Sequence, residues 1–130
     1  MPEPQDRPDL TLTTVNLSAL DVRPLAYFYR DLLGWEVAAE EPEWILLRAE
    51  GGGVGLSVEH DEAFQRPVWP SRTGEQTLQV HLEIRVTDLD AAQAHAMSLG
   101  ASLAEHQPQD DVRVCLDPAG HPFCLWLDSP

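Results

Sequence analysis

The feature that most constrains the fold is an internal repeat with an offset of about 67 residues. Asp21 is matched by Asp88, 67 positions later, and Gly34 by Gly100, 66 positions later. In each copy an alternating apolar stretch precedes the aspartate, a helical pattern links it to the glycine, and three short strand-like stretches follow. Such a repeat within 130 residues predicts two copies of one βαβββ unit that share a single core.

Turn-rich stretches set the predicted boundaries of the two units. Residues 1–10 contain three prolines and no apolar periodicity, which predicts a flexible leader. The first unit is predicted over residues 11–59 and the second over residues 77–127. Residues 60–76, rich in proline and glycine, are predicted to form a long connection between them.

Each unit carries its own helix signals. Asp21 is a candidate N-cap for a helix that ends at Gly34, and Asp88 for a helix that runs through Leu99. The predicted fold is α+β, with two helices and about eight strands. The predicted strands cover residues 12–18, 35–39, 44–49, 54–59, 78–86, 101–105, 112–116 and 122–127.

Composition excludes several classes of function. The chain has 22 acidic residues against 8 arginines and a net charge of −14, which disfavours nucleic acid and favours solubility or cationic ligands. No apolar run approaches the roughly 20 residues that span a bilayer, so no membrane role is expected. With two cysteines and no signal peptide at its start, the chain is expected to be cytoplasmic.

Three stretches of sequence resemble one superfamily. They are LDVRPLAYFYRDLLGWEV (20–37), HLEIRVTDLDAAQAHAMSLGA (81–101) and DPAGHPFCLW (117–126). The chain resembles the vicinal oxygen chelate superfamily, which includes glyoxalase I, bleomycin-resistance proteins and extradiol dioxygenases. The resemblance covers residues 11–127 as one glyoxalase-like domain and is closest to bacterial glyoxalase-like proteins. It implies paired βαβββ modules, a curled mixed sheet around a cavity, and a homodimer.

The strand predicted over residues 78–86 has one apolar and one polar face. Leu82 and Ile84 lie on the apolar face, whereas His81, Glu83 and Arg85 lie on the other. Period two alone allows the polar face to be a solvated sheet surface. The resemblance implies that it lines the cavity, and the alternation predicts that the apolar face packs under the helices.

The resemblance also implies four metal-ligand positions, which fall here on Thr14, Ser57, His81 and Cys124. Only His81 has the usual ligand type, so the site is predicted to be degenerate, with no stoichiometric divalent metal. If a metal is bound, His81 and Cys124 supply half of a soft zinc site. The candidates to complete it are Glu59, His60, Glu83 and His121.

Aromatic and cationic side chains offer further ligand contacts. Trp69 in the connection and Trp126 near the C-terminus are candidates for an aromatic cavity wall, with ordinary packing as the alternative. An arginine on the cavity face, such as Arg85, would select a carboxylate or enolate oxygen, or else pair with a neighbouring acid. His121 either faces the pocket or closes the turn before the last strand.

The predicted function is small-molecule binding in the cavity between the modules, without an assigned activity or certain cofactor. One alternative is a divalent-metal-dependent lyase, isomerase or dioxygenase that uses His81, and a second is a drug-sequestering protein of the bleomycin-resistance type. No catalytic residue is assigned. The predicted ligand-binding residues are Thr14, Asn16, Ser57, Trp69, His81, Glu83, Arg85, Cys124 and Trp126.

Overall fold

A computed structural model describes residues 7–128 and contains two helices and eight strands. Residues 7–10 are exposed and form no regular element, and the other part of the predicted leader, residues 1–6, lies outside the described residues. The elements are β1 (Thr14–Ala19), α1 (Val22–Leu33), β2 (Glu36–Glu41), β3 (Trp44–Arg48), β4 (Gly55–His60), β5 (Leu82–Val86), α2 (Leu89–Ser98), β6 (Ser102–Leu103), β7 (Val112–Leu116) and β8 (Pro122–Leu127).

The two halves have the same strand topology. We call β1 to β4 with α1 the first module and β5 to β8 with α2 the second module. The first sheet has the order β1-β4-β3-β2 and the second has the order β5-β8-β7-β6. In each sheet the first strand pairs in parallel with the last, and the other pairs are antiparallel. The duplicated α+β fold predicted from the repeat is therefore confirmed.

The strands of the predicted mixed sheet are divided between the two modules, and the sheets are not closed. Among residues 7–128 the strands form two separate four-stranded sheets, and no ladder of hydrogen bonds joins β1 to β5. The strand predicted from Leu78 also begins four residues late, at Leu82. Its partner β8 begins at Pro122, which has no N–H to donate and follows a turn, so residues before Leu82 find no ladder to join.

One face of α1 packs into the core of the first module. Five of its residues are buried at helical spacing, and Gly34 ends the helix in the left-handed conformation with φ of 70°. The side chain of Asp21 makes no capping hydrogen bond. The buried residues of α1 are Val22, Leu25, Ala26, Phe28 and Tyr29.

The second helix is less buried than the first. The carboxylate of Asp88 accepts a hydrogen bond of 3.0 Å from the backbone N–H of Ala91, as its predicted N-cap role requires. Ala96 is the one buried residue of α2. Within the described part of the chain, neither helix is long and apolar enough to cross a bilayer.

Aromatic contacts join the two modules into one core. The ring of Phe123 on β8 lies 5.7 Å from the ring of Phe28 and 6.0 Å from the ring of Tyr29, both on α1. All three side chains are almost fully buried. The helix of the first module therefore contacts strand β8 of the second through these rings.

Candidate functional site

The side chains of β5 face as the alternation predicts. Leu82 and Ile84 pack against the main core, whereas the side chains of Glu83 and Arg85 are 66% and 65% exposed. The guanidinium of Arg85 lies 3.5 Å from the carboxylate of Asp128, so this arginine pairs with an acid. The polar face of the second sheet is open to solvent at these positions.

A potential metal-ligand group lies at the start of this polar face. One ligand atom each from His81, Glu83 and Cys124 lies within 4.8 Å of the others, and the imidazole Nε2 of His81 is 3.9 Å from the carboxylate of Glu83. Glu83 is directly opposite Cys124 in the pairing of β5 with β8, which brings the thiol to the carboxylate. Nitrogen, oxygen and sulfur donors together suit a zinc-like ion with an open coordination position.

Of the residues named to complete such a site, only Glu83 joins it. The Nδ1 atom of His60 lies 2.9 Å from the carbonyl oxygen of Leu20, so the His60 imidazole interacts with the first module and not with the His81 group. Burial, together with the negative charge of Glu83, raises the pKa of the Cys124 thiol. A bound cation would have to displace the proton of the Cys124 thiol, because the thiolate is the form that binds a metal.

The corresponding positions in the first module carry weaker ligand types. The amide of Asn16 donates a 2.7 Å hydrogen bond to the hydroxyl of Ser57, which is opposite it on β4. The hydroxyl of Thr14 donates to that of Thr13. These three side chains form hydrogen bonds within the first module, where Ser57 is buried, and they do not lie in the His81 group.

The two candidate tryptophans lie on the second sheet. Trp69 packs against a small apolar cluster of Ala104, Val114 and Cys124, and its indole N–H donates a 3.4 Å hydrogen bond to the carbonyl of His106. Trp126 is half-buried beside Arg85 on the neighbouring strand. Both rings therefore flank the exposed polar face of β5.

A cavity lies elsewhere, between β1 and the segment that connects the modules. Its volume is about 420 Å³, and of the nine predicted ligand-binding residues only Asn16 lines it. Sequence analysis missed most of its wall, which is formed by residues 61–67 and 76–80 of the connection. The polar side chains of that wall include Gln65, Gln76 and Gln79, a glutamine-rich signal in an otherwise aperiodic stretch.

His121 connects this cavity to both modules and fills both roles left open for it. Its backbone N–H donates a 2.9 Å hydrogen bond to the carboxylate of Asp117, which closes the turn before β8. Its imidazole lines the cavity, with Nε2 2.7 Å from the carbonyl oxygen of Ser18 on β1. The ring of Phe64 covers it at a centroid distance of 5.1 Å.

The aspartate that binds the backbone N–H of His121 is itself hydrogen-bonded to a buried tyrosine. The hydroxyl of Tyr29 donates a 2.7 Å hydrogen bond to Asp117, and the two residues are 1% and 3% exposed. Burial raises the pKa of Asp117, while the charge of the nearby His121 imidazole and the hydrogen bonds that Asp117 receives act in the opposite direction. Burial and the nearby carboxylate also raise the pKa of Tyr29, so the phenol stays protonated as a donor.

The chain matches the family model of the glyoxalase-like domain over residues 14–126, and it therefore belongs to the glyoxalase-like domain family. Its fold is that of the vicinal oxygen chelate superfamily, as the sequence resemblance implied. A search of curated proteins finds no match.

Solved structures agree on the fold. A glyoxalase/bleomycin resistance protein/dioxygenase family enzyme from Burkholderia phytofirmans PsJN has a TM-score of 0.68 and 20% identity over 91% of this chain and 98% of that one. A glyoxalase-related enzyme from Fulvimarina pelagi has a TM-score of 0.66 and 18% identity over 91% and 88%. A lactoylglutathione lyase from Agrobacterium tumefaciens has a TM-score of 0.58 and 15% identity over 93% and 96%.

Proposed function

We propose that the protein binds a small neutral or cationic molecule in the cavity between β1 and the connection. The observation that carries this proposal is the cavity itself. Its volume of about 420 Å³ falls within the roughly 300–1,000 Å³ typical of ligand pockets, and residues of both modules line it. Apolar side chains such as Phe64 and Leu78 supply area for burial, and polar ones such as Asn16 supply orientation.

The charge of the lining supports the choice of ligand class. Among the described residues around the cavity, Asp61 is the only carboxylate or guanidinium side chain. The arginine considered for carboxylate recognition, Arg85, is outside the cavity and pairs with Asp128. An anionic ligand would therefore meet an acid without a compensating cation, in a chain whose net charge is already −14.

A blocked cavity provides the test. Ala63 is an exposed residue of the lining, so Ala63→Trp should fill the space with little effect on the core. Ala94→Trp, at an exposed position of α2, is the matched control. Saturation-transfer NMR with a fragment set of neutral, cationic and anionic members should show binders from the first two classes that Ala63→Trp loses and Ala94→Trp keeps. No binders, binders indifferent to Ala63→Trp, or mainly anionic binders would refute the proposal.

A second candidate is a divalent-metal-dependent lyase, isomerase or dioxygenase, and the His81, Glu83 and Cys124 group favours it. A metal held there would polarise adjacent oxygens of a chelating substrate. The proposed binding function instead expects no stoichiometric metal. Zinc titration by calorimetry separates the two, because tight 1:1 binding that is lost in His81→Ala and kept in His95→Ala would favour the metal-dependent alternative.

A further inference from the structure

The two ring nitrogens of His121 have different roles that the structure distinguishes. Nε2 lies 2.7 Å from the carbonyl oxygen of Ser18. A carbonyl oxygen can only accept a hydrogen bond, so the proton of the neutral imidazole is on Nε2. Nδ1 then carries the lone pair and is a hydrogen-bond acceptor.

This acceptor is accessible. Nδ1 makes no hydrogen bond to any of residues 7–128. In the buried and half-buried residues of that range, every side-chain nitrogen or oxygen that is inaccessible to solvent has a hydrogen-bond partner. An atom without a partner, such as Nδ1, is therefore accessible. His121 is only half-buried, and Nδ1 therefore reaches space that solvent or a ligand can enter. Because His121 lines the cavity between β1 and the connection, we infer that Nδ1 faces the proposed binding site.

The ring is also held in place before any ligand arrives. The carbonyl of Ser18 fixes one edge, the ring of Phe64 covers a face, and Asp117 binds the backbone N–H of the same residue. Asp117 is in turn anchored by Tyr29 from the core of the first module. A donor group that meets Nδ1 therefore meets a pre-organised acceptor.

Neighbouring side chains give the cavity the same preference. One amide N–H of Asn16 is used by Ser57, and the amide N–H groups of Gln76 and Gln79 donate to the carbonyl and hydroxyl of Thr77. Their amide oxygens make no hydrogen bond among residues 7–128. These amide oxygens, like Nδ1 of His121, are acceptors that a ligand with hydroxyl or amino groups would satisfy, while each of the three amides also keeps one N–H that can donate.

We propose that His121 is the specificity-determining residue of the cavity, and that its Nδ1 accepts a hydrogen bond from a hydroxyl or amino group of the ligand. This inference rests on the proposed binding function. It adds that the ligand is recognised as a hydrogen-bond donor, and that an analogue with the same shape but no donor binds more weakly.

A pair of probes tests the preference. Benzyl alcohol donates a hydrogen bond and benzyl methyl ether does not, and their affinities can be measured by amide chemical-shift titration at pH 8. Since a net hydrogen bond changes affinity by about 3- to 10-fold, the alcohol should bind more tightly than the ether by that factor.

Two variants assign the preference to Nδ1. In His121→Gln the amide nitrogen can still donate to Ser18, but the amide oxygen, the one acceptor left, is on a flexible side chain and is not fixed at the position of Nδ1 by a rigid ring. The ratio of alcohol to ether affinity should fall by about 3- to 10-fold in this variant, with a smaller change for the ether. His95→Gln, on the exposed face of α2, should leave the ratio unchanged.

The outcomes separate the two proposals. If both probes shift cavity amides with equal affinity, or if His121→Gln keeps the ratio, the role of His121 is refuted while cavity binding stands. If neither probe shifts them, the binding function fails and the inference with it. Ring nitrogen shifts of the wild-type protein provide a readout that needs no variant, because a proton on Nδ1 instead of Nε2 would overturn the inference directly.

Discussion

The hydrogen bond between Tyr29 and Asp117 should make an unusually large contribution to stability for a single hydroxyl. In Tyr29→Phe the ring remains packed against Phe28 and Phe123, but the buried carboxylate loses its 2.7 Å donor. Hydrogen bonds to charged groups contribute roughly 1.5–3 kcal/mol, so we expect a loss of about 2 kcal/mol in the free energy of unfolding. With an unfolding entropy of about 2.1 cal/mol/K per residue, that loss lowers Tm by about 7 °C.

The same helix supplies a matched control. The hydroxyl of Tyr27 also donates to a carboxylate, that of Glu40 at 2.6 Å, but this pair is exposed. Tyr27→Phe should therefore leave the midpoint of urea unfolding close to the wild-type value, since water replaces the lost partner. Equal effects of the two substitutions would show that burial does not give the Tyr29 bond its importance, and would refute the reasoning.

The effect of Tyr29→Phe should also depend on pH. Burial raises the pKa of Asp117 in the folded chain above its unfolded value, so between these two values the folded state binds more protons. The contribution of Asp117 to stability consequently falls as pH rises through that window. The lost bond is charge-assisted only while Asp117 is ionised, so the difference in unfolding free energy between wild type and Tyr29→Phe should shrink as pH falls through the raised pKa.

Three further predictions follow from local geometry. Asp88→Ala should destabilise the protein by about 1 kcal/mol in urea unfolding, whereas Asp21→Ala, which removes no capping bond, should cost less than half of that. Gly55→Ala should cost about 1–3 kcal/mol in the same assay, because the added Cβ would lie 2.5 Å from a backbone oxygen of β3; an unchanged midpoint would contradict this. Burial raises the pKa of Cys115 to about 11, and burial also raises the pKa of Cys124, so a thiol reagent at pH 8 should label neither thiol rapidly before denaturation.

The duplicated fold was predictable because its signals are local. A capped helix, a terminating glycine and alternating strands are each encoded within a dozen residues, and the repeat at Asp88 and Gly100 reinforced the pattern at Asp21 and Gly34. The start of β5 was not predictable in this way. The alternation of apolar and polar residues extends upstream of β5, to Leu78. Pairing nevertheless begins at Leu82, because Leu82 is opposite Phe123, the first residue of β8 that has a backbone N–H.

The candidate site was predictable only in part, for a similar reason. Alternation and the resemblance placed His81 and Cys124 among possible ligands, and the register of β5 with β8 then brings in Glu83. The cavity depends on how an aperiodic segment of about twenty residues folds against β1, which no local pattern specifies. Both possibilities considered for His121 proved compatible, because its backbone closes the turn while its ring faces the cavity.

The parallel strand pairs have a consequence for the order of folding. Thr14 pairs with Gly55 and Leu82 pairs with Phe123, and in both pairs the partners are 41 positions apart in the chain. Each module must therefore close a loop of the same length before its sheet is complete. Equal loops carry nearly equal closure entropy, and chain topology therefore gives neither module an advantage. The two modules differ in the helix that lies within the loop, since five residues of α1 are buried but only one residue of α2. We expect the folding nucleus to form around α1 with β1 and β4, so that a truncation such as Leu25→Ala slows folding, whereas truncations in the second module mainly accelerate unfolding.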